Sequence, residues 1–282
     1  MLFGEYLVLH GAKSLAFPLK FGQTLTMKPA KTFSWESYSI DGKWFEVTLD
    51  EELDIEDTNN WEVAEILMGL IKNIHAMKPS LDINQAFKAE ANFDLQWGLG
   101  SSSTLISLLS QWSDVDPDIL LEQSFGGSGY DIACATADHP IVFVKDTSIE
   151  EVELAEAVTE KLLFVYLGKK QNSREEIKRF QNSNVTSTHV DEMNEIIEKS
   201  IEANDIEAFE EQLNRSEVML SPVIGLDKLK EKEFRDYPHS IKSLGAWGGD
   251  FFLATYRDLE EAQNYFKNKG MSTMFTYNEL VK

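Results

Sequence analysis

Apolar and polar positions divide the first ninety residues into strand-like runs and one long helix. Leu25 to Met27, Phe33 to Tyr38 and Trp44 to Leu49 read as strands, and so does Tyr6 to Leu9. Asp41-Gly42, between two of these runs, has the composition of a tight hairpin turn. From Trp61 to Met77 the period changes. Ala64, Leu67, Met68, Ile71 and Ile74 then recur at helical spacing on one face. Gln85 to Phe93 returns to strand.

Trp97 to Thr104 is a glycine- and serine-rich turn that feeds an apolar helix, Leu105 to Trp112. Pro117 to Gln123 predicts a short helix, Gly126 to Gly129 a second glycine-rich turn, and Ile141 to Val144 a strand. Ser148 to Glu160 is acidic and polar, which predicts a linker or a surface helix. A domain boundary is therefore expected near Thr147, giving domains 1–150 and 151–282. Beyond it the pattern predicts a strand over Leu162 to Leu167 and helices over Ser173 to Gln181, His189 to Ala203 and Ile206 to Leu220. A strand before Gly245 follows, then a strand over Phe251 to Tyr256, a helix over Leu259 to Lys269 and a strand over Thr273 to Thr276. That order predicts an α+β fold with helices layered on an antiparallel sheet.

Composition narrows the partners. The formal net charge of -22 repels nucleic acid and anionic membranes, so neither is expected. The same field repels ATP, so any nucleotide site must build local positive potential from backbone N–H groups, a helix N-terminus, lysines or a metal ion. No apolar run approaches the ~20 residues of a membrane-spanning helix. The N-terminus lacks the basic flank and apolar stretch of a signal peptide. One cysteine, Cys134, excludes an intramolecular disulfide, and a cytoplasmic location is the expectation. The histidines, His10, His75, His139, His189 and His239, are dispersed without zinc spacing. The oligomeric state is not encoded in any of these features.

Three glycine-rich turns carry the candidate chemistry. In Gly98-Leu99-Gly100-Ser101-Ser102-Ser103-Thr104, glycines let a ligand approach the backbone, and serines open a helix whose N-terminus is electropositive. This suits phosphates, or a capped helix after a tight turn. Neither a Rossmann fingerprint nor a P-loop fits: Ser103 stands where the former needs glycine, and Gly11-Ala12-Lys13-Ser14 interrupts the latter. In Gly126-Gly127-Ser128-Gly129-Tyr130-Asp131, the carboxylate is placed either to accept a hydroxyl proton or to cap the next helix. Gly245-Ala246-Trp247-Gly248-Gly249-Asp250 lies between two strands, as a substrate-closing turn or a bulged hairpin.

The order and spacing of these turns, with Leu2-Phe3-Gly4-Glu5-Tyr6-Leu7-Val8-Leu9-His10-Gly11 at the start, resemble the GHMP kinase superfamily from Phe3 to Tyr256. Asp250 and the Ser128-Gly129-Tyr130-Asp131-Ile132-Ala133 run resemble its phosphomevalonate kinase branch most. The resemblance implies two α+β domains, an S5-like N-terminal one and a ferredoxin-like C-terminal one, with the active site in the cleft between. It implies ATP and Mg²⁺ as cofactors and a mevalonate-pathway acceptor, 5-phosphomevalonate. Gly98, Leu99, Gly100, Ser101, Ser102 and Ser103 would bind ATP, Ser102 and Glu122 the metal, and Asp131 would be the catalytic base. Glu5, Tyr6, Ser128, Gly129, Ser173, Gly245, Gly248 and Asp250 would meet the acceptor, Ser173 in the loop Gly168 to Arg174.

The sequence departs from that pattern in three places. The family's Pro-Gly-Lys strand would fall before Phe3, and Lys13 matches its lysine poorly by position. Trp247 replaces a glycine of the third turn. Glu122 sits closer to Asp131 than the family's metal-binding glutamate does. Alternatives are mevalonate kinase or another GHMP sugar or metabolite kinase, a diphosphomevalonate decarboxylase, or a non-catalytic regulatory protein on the same fold.

Overall fold

The computed structural model describes residues 1–169, 185–245, 247 and 249–282. They form two compact units, which the chain visits in turn. Unit one comprises residues 1–20, 96–98 and 137–282, and unit two comprises residues 21–95 and 99–136.

The chain opens in unit one. Phe3 bridges to Leu15, a 3₁₀ turn follows at Leu7–His10, and β1 spans Ser14–Ala16. The strand expected over Tyr6 to Leu9 is thus a helical turn. Positive φ at Gly4, Tyr6 and Gly11 curls the backbone, and the Val8 N–H donates to the Gly4 carbonyl at 2.9 Å. Only glycine suits position 4. A Cβ there would lie 2.5 Å from the Lys13 carbonyl oxygen.

Unit two holds β2 (Gln23–Pro29), β3 (Ser34–Ser39), β4 (Gly42–Leu49), β5 (Ile55–Thr58), α1 (Trp61–Met77), β6 (Gln85–Ala91), α2 (Ser101–Ser113), α3 (Pro117–Glu122) and α4 (Tyr130–Thr136). Its sheet runs β2-β6-β3-β4-β5, antiparallel except where β3 lies parallel to β6. Alternate residues of β4, Phe45, Val47 and Leu49, face a core that α1 fills with Leu67, Met68, Ile71 and Ile74. The Asn60 side chain caps α1 by accepting from the Val63 N–H. Asp116 caps α3, with Pro117 in its first turn. Phe87 anchors the aromatic layer, its ring 5.2 Å from Phe33, 5.3 Å from Trp35 and 4.9 Å from Trp112.

Back in unit one come β7 (Ile141–Val144), β8 (Ser148–Glu151), α5 (Glu156–Thr159), β9 (Leu162–Tyr166), α6 (Ser187–Glu202), α7 (Ile206–Ile224), α8 (Leu229–Glu233), β10 (Ile241–Ser243), β11 (Phe251–Thr255), α9 (Leu259–Asn268), β12 (Met274–Thr276) and α10 (Tyr277–Leu280). β1, β7 and β8 make a three-stranded antiparallel sheet, and β10-β11-β9-β12 a four-stranded one. β9 and β11 are buried almost throughout, so they read as apolar runs. Leu163, Val165, Phe252 and Ala254 share a core with Phe234 and Phe266.

The polar stretch Ser148 to Glu160 contains β8 and α5 rather than a linker. β8 is an edge strand with mostly exposed residues, so its sequence looks like surface. The boundary expected near Thr147 falls in the turn between β7 and β8, inside unit one. The short elements β1, β5, α8 and α10 went unpredicted, being too brief for periodicity to register. The helix expected over Ser173 to Gln181 lies outside the described residues. No helix among those described is long and apolar enough to cross a membrane.

Truncating Phe87 to Ala is expected to cost about 3–5 kcal/mol through lost burial and a retained cavity. Urea unfolding measures this. A loss below about 1 kcal/mol would show that the aromatic layer repacks around the gap.

Candidate functional site

In unit two, α2 begins immediately after Gly100, which takes the N-cap position at φ 77° and offers no side chain to the first N–H groups. Ser101, Ser102 and Ser103 therefore stand inside the first turn. They do not cap it, as serines opening a helix would be expected to. A helix of 13 residues with a glycine cap presents N–H donors and its positive dipole end to an anion. Thr104 is turned back on the helix, its hydroxyl 3.1 Å from the Ser101 carbonyl and 3.2 Å from that of Gly100. The Gln23 amide braces this turn, donating to the Ser101 carbonyl at 2.8 Å and to the Thr104 hydroxyl at 2.6 Å. The cradle is thus held from β2.

α4 packs against α2 and carries Asp131 as its second residue. Gly129 starts that helix, its carbonyl accepting from the Ile132 and Ala133 N–H groups at 3.1 Å each. With the helix starting at Tyr130, Asp131 lies inside it and does not take the capping position before Ile132. Burial pushes its carboxyl above the usual aspartate range, and a hydrogen bond with Tyr130 opposes that shift. A raised value makes the carboxylate a better proton acceptor. Ser128 and Gly129 are half-buried in the turn just before it. Glu122 ends α3 exposed to solvent.

Among the described residues, no group of three or more His, Cys, Asp or Glu side chains is arranged to hold a metal ion. Magnesium does not require one. It binds through one or two protein groups together with phosphates, and a serine hydroxyl with an exposed carboxylate suits that donor set.

In unit one, Gly98 lies against Asp250. A Cβ on Gly98 would stand 2.3 Å from the Asp250 carboxyl carbon, and its φ is +68°. Its neighbour Trp97 packs edge-on to Phe275, centroids 5.3 Å apart, and the Tyr166 hydroxyl donates to the Gln96 carbonyl at 2.9 Å. Asp250 is itself clamped, its N–H donating to the Lys169 carbonyl and its carbonyl accepting from Leu167. Gly245 has φ +57°, and Trp247 is buried, at φ +54°. Ser173, with the loop Gly168 to Arg174 beyond Lys169, and Gly248 lie outside the described residues.

Glu5 and Tyr6 are both buried. Glu5 has a partner the sequence did not suggest. Lys242, on β10, is fully buried and donates to Glu5 Oε1. Glu217, on α7, places Oε1 3.8 Å from the same ammonium and accepts from the Ser243 N–H at 3.1 Å. Burial pushes the Glu217 carboxyl up to about 8; Lys242 opposes this and Glu5 adds to it. A signal for Glu217 exists in the sequence. It falls on the buried stripe of α7, among Phe209, Leu213, Leu220 and Ile224, where a charge is out of pattern. Lys13 pairs instead with Glu198 at 2.7 Å, half-exposed.

No family model and no curated protein matches the chain. Solved structures do. A Lin0012 protein from Listeria innocua superposes with TM-score 0.72 at 16% identity, over 97% of this chain and 93% of that one. Streptococcus pneumoniae phosphomevalonate kinase in complex with phosphomevalonate and AMPPNP gives 0.71 at 18%, over 97% and 96%. Methanococcus jannaschii mevalonate kinase gives 0.69 at 18%, over 97% and 93%.

Two measurements test this geometry. Gly98→Ala meets both a left-handed backbone and the Asp250 carboxylate, and is expected to cost about 1–3 kcal/mol in denaturant unfolding. No loss would mean that the Asp250 contact is absent in solution. Glu217 is protonated below its ordinary value of 4.5 in the folded and unfolded chain alike. Between there and about 8 the folded chain keeps a proton that the unfolded one loses, so stability falls as pH rises. Glu217→Gln is expected to flatten the melting temperature across that window, whereas parallel slopes in both proteins would show an ordinary glutamate.

Proposed function

From the GHMP kinase fold that the chain has, we propose that it is an ATP-dependent phosphotransferase acting on a small metabolite, with 5-phosphomevalonate as the acceptor. The observation that carries the reading lies in unit two. An α2 N-terminus left open by a glycine cap, with three serines in its first turn, packs beside the helix bearing Asp131. One element suits phosphates and its neighbour suits a proton. The choice of acceptor draws on the Streptococcus pneumoniae kinase, solved with phosphomevalonate and a nucleotide analogue, and on Asp250 and the Ser128 to Ala133 run.

In the mechanism, Gly98, Leu99 and Gly100 let the phosphates approach the backbone. The N–H groups and hydroxyls of Ser101, Ser102 and Ser103 neutralise them. Ser102 and Glu122 would hold the magnesium ion, which supplies further positive charge at the phosphates when bound. The acceptor oxygen attacks the γ-phosphorus, the bond from that phosphorus to the β,γ-bridging oxygen breaks, and ADP leaves. Where the acceptor phosphate is still the monoanion, Asp131 takes its remaining proton as the oxygen attacks. Ser128 and Gly129 line the acceptor next to it. In unit one, Glu5, Tyr6, Gly245 and Asp250 are acceptor-binding groups in the same reading, with Ser173 and Gly248 completing the set. Positioning and charge neutralisation carry the rate, since the transferred group needs little covalent help.

An ADP-release assay with Mg-ATP tests this on mevalonate, 5-phosphomevalonate, 5-diphosphomevalonate, galactose and homoserine side by side. Turnover is expected on 5-phosphomevalonate. Asp131→Asn is expected to lower kcat by about 10²–10⁴-fold with the fold intact. Turnover on another acceptor would replace the substrate and keep the reaction. No turnover on any would sink the kinase reading.

A further inference from the structure

Lys242 has no solvent-exposed surface. Its ammonium donates to Glu5 Oε1 and to the Ser243 carbonyl, the latter at 3.0 Å. Glu217 Oε1 is 3.8 Å away, and the rings of Phe3 and Trp247 lie 5.5 and 5.8 Å from the same nitrogen. Two buried carboxylates thus face one buried cation. Removing an ion from water is costly, so an uncompensated second negative charge is disfavoured here. One carboxyl keeps its proton. Glu5 holds the direct hydrogen bond to the ammonium, which leaves the proton to Glu217. Among the described residues, Glu5 Oε2, Glu217 Oε2 and Trp247 Nε1 are buried without a hydrogen-bond partner.

We propose that Lys242 is a positioning residue for acceptor binding. Its one ammonium fixes the Glu5 carboxylate, whose buried Oε2 has no hydrogen-bond partner among the described residues, and holds the Trp247 ring beside it. The acceptor in this statement rests on the kinase reading above, while the cluster itself does not. Glu217 acts as the neutral neighbour that leaves Lys242 to Glu5. It faces Lys242 from β10, Glu5 from the N-terminal segment, Lys228 from the start of α8, and the Ser243 N–H. The buried face of α6 adds only Met193, Ile196, Ile197 and Ser200, none of them charged. When Glu217 ionises it competes for the ammonium, and the hold on Glu5 and Trp247 loosens.

The test is the ¹⁵N indole N–H resonance of Trp247 in the full chain, assigned with Trp247→Phe among the six tryptophans. It is expected to move with pH, with a midpoint near 8, and to stop moving in Glu217→Gln. An indole signal that stays fixed in the unsubstituted protein overturns the proposal. A kinetic arm separates positioning from general support of the fold. Lys242→Met is expected to raise the acceptor KM about tenfold while the ATP KM stays within about twofold, and Lys242→Arg to recover part of the loss. Equal changes in both constants, or no recovery by arginine, count against it. Should Lys242→Met fail to fold, Glu217→Gln retains the Lys242–Glu5 pair and is expected to raise turnover at pH 9 relative to pH 7 several-fold over the unsubstituted protein. An unchanged ratio overturns the proposal. Absence of turnover on every acceptor removes the kinase reading and the acceptor with it, and the indole titration alone then decides whether Lys242 holds the Trp247 ring.

Discussion

An ammonium shut away from water must be met by negative charge and hydrogen bonds, and unit one is arranged around that requirement at Lys242. The cation sits on a three-residue strand whose neighbours are buried, so it has no route by which to snorkel to the surface. Its partners come from places remote in sequence, the counter-charge from the fifth residue and a neighbouring carboxyl from the middle of α7. Removing one partner of such a cluster costs far more than the pair contributes, because the remaining charge stays buried. The N-terminal segment, the long helix and the central sheet of unit one are therefore bound to one another by an electrostatic condition as well as by apolar packing.

The sequence made most of the framework legible, and its failures share a cause. α1 was predicted over Trp61 to Met77 as it stands, because five apolar residues at helical spacing have only one way to be buried. The antiparallel sheet of the second half was legible because β9 and β11 are apolar along their whole length. Tyr6 to Leu9 was misread because period alone does not register positive φ at Gly4, Tyr6 and Gly11. β8 was misread because an edge strand exposed to water carries the residues of a loop.

For the candidate site, glycine, serine and aspartate in ordered turns were visible as motifs, and the structure adds what sequence lacks. It gives Gly100 rather than a serine as the cap of α2, Gln23 as the brace, and burial as the reason the Asp131 carboxyl is displaced upward. Lys242 and Glu217 were not singled out, since their meaning lies in contacts across 237 and 26 positions of chain. A fold of this kind does not by itself fix a reaction, which is decided by the side chains of the site.

The contact between Gly98 and Asp250 has a consequence for how such a chain can change over time. With the carboxyl carbon 2.3 Å from where a β-carbon would sit, the two positions, 152 apart in sequence, behave as one unit of variation. A smaller residue at 250 removes the clash that a larger one at 98 would meet. Even then the left-handed backbone holds position 98 near glycine. Mutational paths that enter this corner from the 98 side carry a stability cost that those entering from the 250 side avoid, so one order of change is favoured over the other.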